Sequence, residues 1–344
     1  MFVYLIRRLL LAIPTFLGIT LVTFFIINAA PGGPIEQKLQ KLRMGGGGDG
    51  GKSTQVSQEI LDGLVKQYGF DKPIHERYFL WLKNISRLDF GESFAYQEPV
   101  IDIISSKFPV SLSFGVASLI LTYLVCIPLG VKKAINAGGP FDQISGVILY
   151  ILSSIPPIVL RSIPVIVLGI FLIVWFAGGS YFDWFPIGGV KADDYDSLTT
   201  LGKIGDRAYH FVLPLICYMI GSFTELTMLV RNSMLDVIKS DYIRTARSKG
   251  LGDNLVYYKH ALRNAMIPVA TGLGGFLRVF LAGSLIIETL FNLDGIGLLG
   301  YTSILARDYN VIMGLTFISS LMLLLGNIIS DVIYVIVDPR IDFK

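Results

Sequence analysis

Residues 110–131 read Val110-Ser-Leu-Ser-Phe-Gly-Val-Ala-Ser-Leu-Ile-Leu-Thr-Tyr-Leu-Val-Cys-Ile-Pro-Leu-Gly-Val131, without a charged side chain. At a helical rise of about 1.5 Å per residue the run covers about 33 Å, enough to cross a hydrocarbon core of roughly 30 Å. Five other runs are long and apolar enough to do the same: Leu9–Ala29, Ile144–Phe176, His210–Val230, Ala265–Leu290 and Val311–Val337. The expected fold class is an all-α membrane protein with six transmembrane helices. The third run contains Pro156, Pro157 and Pro164 and one charge, Arg161. One kinked, tilted span is preferred there to two short re-entrant helices, because no turn-forming polar cluster divides it. Proline is tolerated in a membrane helix when neighbours satisfy the freed carbonyls.

Composition supports this reading. Of 344 residues, 53% are apolar and 16% charged, against about 25% charged in a soluble domain. A mean hydropathy of +0.62 leaves too little polar surface to wrap a soluble core. Disordered, fibrous and nucleic-acid-binding classes are excluded, and the net charge of +3 is small. Cys126 and Cys217 lie in apolar runs and form neither a disulfide framework nor a CxxC pair. His75, His210 and His260 are scattered, so no metal site and no cofactor are expected. Arg7 and Arg8 before the first run give it the look of a signal peptide. Its 21 residues exceed a signal core, and no A-x-A site follows, so a retained helix is expected over residues 1–29.

Basic residues in short loops orient the chain. Lys132 and Lys133 follow the second run, and the stretch 231–263 has seven basic residues against three acids. The stretch 177–209 has three against five, and 291–310 has one against two. Both termini and 231–263 are therefore expected in the cytoplasm. Residues 30–109, with ten bases and ten acids, are expected to form a small extracytoplasmic region. In it Glu59–Tyr68 and Ile74–Leu88 read as helices, the second started by Pro73. Residues 110–344 are expected to form the main transmembrane domain.

Gly46 to Ser53 fits the phosphate-binding pattern G-x-x-x-x-G-K-[ST], with Lys52 at the lysine position. Such a loop needs a buried strand before it to aim its amides at phosphate. Polar Lys38–Met44 precedes it, and six of the seven residues 45–51 are glycine. It reads as a flexible outer linker.

The loop between the fourth and fifth runs carries Asp241-Tyr-Ile-Arg-Thr-Ala-Arg-Ser-Lys-Gly250-Leu-Gly252. Ser240 or Asp241 can cap a short helix that Gly250 ends in the left-handed conformation. Asp253 can cap a second helix running to Asn264. On the first, Ile243, Ala246 and Leu251 face one way, with Arg244, Arg247 and Lys249 around them. Such helices need a partner for their apolar faces. A basic loop lying on anionic lipid and a helix docked on another protein are both compatible with this spacing.

Asp241–Leu251, followed by His260-Ala-Leu-Arg-Asn264 and Pro268, resembles the "EAA" loop of ABC-importer permeases, nearest to the dipeptide, oligopeptide and nickel branch. Aligned on Gly250, the EAA positions fall on Arg244, Thr245 and Ala246, of which Ala246 keeps the motif. Tyr4-Leu-Ile-Arg-Arg8 with Pro14, Tyr68–Pro73 and Asp89-Phe-Gly-Glu-Ser93 match the same branch, as do Gly283-Ser284, Glu288, Gly295, Gly297 and Arg307-Asp-Tyr309. Asp331, Tyr334 and Asp338-Pro-Arg-Ile341 match its end, while Asn310 stands where the branch has proline. The Gly-rich insertion and the terminal Asp338–Phe343 are similar to one subgroup of that branch.

The resemblance implies a permease subunit in the bacterial inner membrane, forming half of a peptide pathway and hydrolysing no ATP itself. Its implied partners are a second homologous permease, a separate ABC ATPase, an extracytoplasmic peptide-binding protein and membrane lipid. The loop 236–267 would couple to the ATPase, through Asp241, Tyr242, Arg244, Thr245, Ala246, Arg247, Gly250 and Leu251. Charges in or near spans form a second set: Arg161, Glu225, Arg278, Glu288 and Asp331. Such groups are costly in lipid and are usually paired or face a pathway. Glu225, Arg278 and Glu288 are the pathway candidates. Arg278 and Glu288 lie too far apart along one helix to pair, and structural pairing and pathway roles both remain open for Arg278. A stand-alone secondary transporter is the alternative, although such carriers favour inverted repeats, and the two halves here do not resemble each other.

Overall fold

The computed structural model describes residues 2–29, 72–153, 163–177, 179, 181–270, 272–273 and 283–337. The Gly-rich linker with Lys52, the expected helix Glu59–Tyr68, Arg161, Pro156, Pro157 and Arg278 lie outside the described residues, as does the terminal Asp338–Phe343.

The described residues are mostly helical. Helix α1 spans Phe2–Ala29, α2 Ile74–Ile85, α3 Val100–Ile135, α4 Pro140–Ser153 and α5 Ile163–Phe176. Helix α6 spans Thr200–Ile238 and α7 Asp241–Ser248. Next come α8 (Asp253–Leu255), a π-helical turn (Val256–Ala261) and α9 (Leu262–Ala265). The last three are α10 (Leu285–Leu290), α11 (Ile296–Leu305) and α12 (Tyr309–Val337). Among the described residues, α1, α3, α6 and α12 contain stretches long and apolar enough to cross a bilayer. Leu10 and Ile26 of α1 and Ile120 and Leu124 of α3 expose most of their side chains, as lipid-facing residues do.

The third run is described as α4 and α5, and the join with Pro156 and Pro157, where the expected kink falls, lies outside the described residues. The fifth does not run as one helix to Leu290. Gly283 takes φ +74°, Ser284 is extended, and the Ser284 hydroxyl accepts from the Ile287 amide, starting α10 afresh. A positive φ suits glycine and ends a helix. The region 291–310, expected as a plain outer loop, contains the apolar helix α11.

The chain forms two compact units. The first comprises Met1–Leu5, Phe108–Leu298 and Met322–Lys344. One of its apolar cores joins Cys126 and Val131 of α3, Val230 and Met234 of α6, Ile243 and Ala246 of α7, and Val256 and Ala261 of the π-turn. The other centres on Phe114, stacked on Phe211 with ring centroids 3.9 Å apart, and includes Ile287 and Phe291.

The second unit comprises Ile6–Lys107 and Leu299–Leu321. There Tyr78 of α2 packs on Phe24, and its hydroxyl lies 3.0 Å from Thr20 Oγ1. Asp308 caps α12 through the Val311 amide and accepts from Ser93 Oγ at 2.5 Å and the Ala95 amide at 3.0 Å. That carboxylate ties the Asp89–Ser93 turn to the start of the last helix.

Candidate coupling helix and buried charges

Helix α7 follows α6 after Lys239 and Ser240. Ser240 stands at its N-cap, but its hydroxyl donates back to the Val237 carbonyl at 2.6 Å, so it ties the turn to α6 and does not cap α7. Gly250 takes φ +77° after the helix, as the sequence indicates. Asp253 is the first residue of α8, with Gly252 at its N-cap. The expected second helix to Asn264 continues through a π-turn, a widening often found at functional positions.

Ile243 and Ala246 are buried in the core shared by α6, the π-turn and α9, and Leu251 packs against that core. The apolar face that the sequence offers to a partner is therefore occupied by the chain's own helices. The outward face holds Asp241, Tyr242, Arg244, Thr245, Ser248, Lys249 and Gly250, all exposed. Arg247 is engaged within the loop. It donates to Tyr257 Oη at 2.6 Å, lies over that ring and pairs with Asp253 at 3.3 Å. Asn264 donates to Tyr242 Oη at 2.7 Å. These links hold α7 against the π-turn, leaving Arg244 the outward cation on the helix itself, its side chain 82% exposed.

The pathway candidates separate. Glu225 is exposed on α6, and Asp331 is half-buried on α12. Glu288 is 1% exposed. Its carboxyl oxygens accept from Ser111 Oγ at 2.9 Å, the Ser284 amide at 3.2 Å and the Leu298 amide at 2.8 Å. Ser111 Oγ in turn accepts from the Ile296 amide. Glu288 thus faces its own connecting segment and gathers the start of α10, the start of α11 and α3.

A third group has no counterpart in the sequence reading. Lys133 is fully buried and donates to the Asp142 carbonyl and Ser145 Oγ, both at 2.8 Å, with its ammonium 3.1 Å from Asp142 Oδ1. Arg231 grips the same carboxylate with two nitrogens, Nε to Oδ1 at 2.8 Å and Nη2 to Oδ2 at 2.5 Å. The Arg231 guanidinium, the Gly138 amide and Lys133 hold the Asp142 carboxyl well below the usual carboxylate range against the opposing effect of burial. Lys133 and Arg231 read in sequence as solvated loop charges. A lysine just after a span and an aspartate in the next helix's first turn are the available signal.

Long apolar helices and a short, polar-faced helix seated on the span before it define a class: multi-pass membrane proteins. Residues 126–343 match the family described as binding-protein-dependent transport system inner membrane component, and residues 1–115 match its N-terminal membrane-component family. The chain belongs to this family, which makes it a multi-pass inner-membrane permease subunit and not an enzyme. It is 44% identical to the peptidoglycan transport system permease protein YejB of Agrobacterium fabrum, covering 99% of this chain and 98% of that one. To the inner membrane ABC transporter permease protein YejB of Escherichia coli O157:H7 it is 42% identical, over 99% of both chains. To the oligopeptide transport system permease protein AppB of Bacillus subtilis it is 36% identical, again over 99% of both. YejB belongs to the subgroup that the Gly-rich insertion and Asp338–Phe343 resemble.

Proposed function

We propose that this permease forms half of a peptide pathway across the inner membrane, pairs with a second homologous permease, is driven by a separate ABC ATPase, and receives peptide from an extracytoplasmic binding protein. The observation that carries the coupling part is the seating of α7. Its apolar face is fixed to α6 by Ile243 and Ala246, while Asp241, Tyr242, Arg244 and Thr245 point outward. A helix held on one face and polar on the other passes a push on its outer face to the span behind it. Peptide is the favoured cargo because relatives along the whole chain are named for oligopeptide and dipeptide transport. In this reading six spans put both termini and the loop 236–267 in the cytoplasm, residues 30–109 outside, and the pathway in 110–344.

Purification of the tagged chain from membranes tests the assembly. A second permease and an ATPase are expected to accompany it in fixed ratio. The chain purifying alone, with uptake intact when the ATPase gene is deleted, would establish a lone carrier in its place.

A further inference from the structure

We propose that Arg231 and Asp142 are positioning residues that make the α3–α4 hairpin follow α6 when the coupling helix is displaced. The inference rests on the coupling reading of α7 above. Three helices meet at one carboxylate. Lys133 comes from the last turn of α3, Asp142 from the first turn of α4, and Arg231 from α6, ten positions before Asp241. Seven helical residues separate Arg231 from the end of α6 at Ile238, about 10 Å along the axis, before Lys239 and Ser240 turn the chain into the coupling helix.

Stability alone is a weak reason for this arrangement. Buried ion pairs cost desolvation, and replacing them with packed apolar side chains is often neutral or stabilising. Lys133 is 0% and Asp142 7% exposed, so both meet that cost. What such a site provides is fixed geometry. The Arg231 fork meets both carboxylate oxygens, a planar two-point grip that resists rotation and sliding of α4 on α6. Beside it α3 and α6 cross closely. A Cβ at Gly130 would lie 2.7 Å from Val230 Cβ and 2.8 Å from the Thr227 carbonyl oxygen. The crossing and the carboxylate join α3 and α4 to the segment of α6 that carries Met234 into the core of the coupling helix. A displacement of α7 is thereby passed to two further helices as one body.

The test uses the whole complex in lipid vesicles, with spin labels at Gln143→Cys on α4 and Ser248→Cys at the end of α7, both exposed positions. Native Cys126 and Cys217 are buried, and the partner subunits are made cysteine-free. The parent is expected to keep one narrow distance with and without trapping by ATP and vanadate. In R231Q, Asp142 keeps Lys133, so the complex is expected to assemble, but its distance shifts or broadens by about 2–5 Å on trapping. R231K is expected to restore part of the parent behaviour. If R231Q fails to assemble, D142E serves in its place, since it keeps all three charges and changes only the reach, and the same nucleotide-dependent broadening is expected. A trapped distance in the variant as narrow as in the parent overturns the proposal. So does reduced assembly without nucleotide dependence, which marks a purely structural role. A cysteine at 248 that soluble maleimide labels equally with and without the ATPase shows instead that the coupling reading has failed, and the joint's function falls with it.

Discussion

At Ala246 the motif position implies a partner protein, while the packing within the chain buries the side chain among its own helices. Its spacing from Ile243 marks a buried face, and that face is buried. The neighbours are Val230, Met234 and Val256 of the same chain. Ala246→Glu therefore places a carboxylate in an apolar core, a change expected to cost on the order of 4 kcal/mol. Loss of folded protein in detergent melts should accompany any loss of uptake, whereas Thr245→Glu, on the exposed side, should leave the melt within about 0.5 kcal/mol of the parent. Asp142 gives a pH prediction with a definite sign. Its carboxyl is held below its ordinary value, so the pair's contribution is complete above the unfolded carboxylate pKa of about 4 and is lost only as pH falls through the lower folded value. Asp142→Asn should be less stable than the parent at neutral pH, and the gap should close only in strong acid. A gap that closes between about pH 7 and 5 would contradict the assignment. Neither Lys133 nor Arg231 could be matched to Asp142 from sequence. Lys133 lies nine positions from Asp142 across a turn whose path no sequence period sets, and pairing Arg231 requires α4 to fold back on α6 across 89 positions.

At the scale of elements, apolar length was the reliable signal. Helices α1, α3, α6 and α12 lie where apolar runs are long enough to span. The fifth run was less legible, because Gly283 and the Glu288 cluster redirect the chain through hydrogen bonds to residues as distant as Ser111. The π-turn was also invisible, since Val256–Ala261 has ordinary helical composition. Helix α7 was legible in its limits. Gly250 ends it at φ +77°, and nothing lies within 4 Å of where a Cβ would stand. Gly250→Val should therefore cost backbone strain alone, about 1–3 kcal/mol, with Gly250→Asn milder because asparagine tolerates this conformation better. Melting of the purified subunit reads both variants. Equal stability of the valine variant and the parent would mean that the turn can take another path.

At the scale of the whole molecule, the family could be read because its matching positions are distributed from Tyr4 to Ile341, and the chain aligns with its relatives over 99% of its length. The mechanical claim concerns which face of α7 meets the ATPase, and single-cysteine cross-linking measures that directly, helped by the burial of both native cysteines. In the assembled complex, Arg244→Cys and Thr245→Cys are expected to cross-link to the ATPase with a short bifunctional reagent and to be protected from soluble maleimide by its presence. Ala246→Cys is expected to react with neither, in the complex or in the subunit alone. The account is contradicted if positions 244 and 245 label equally with and without the ATPase, or if position 246 is the one that joins it.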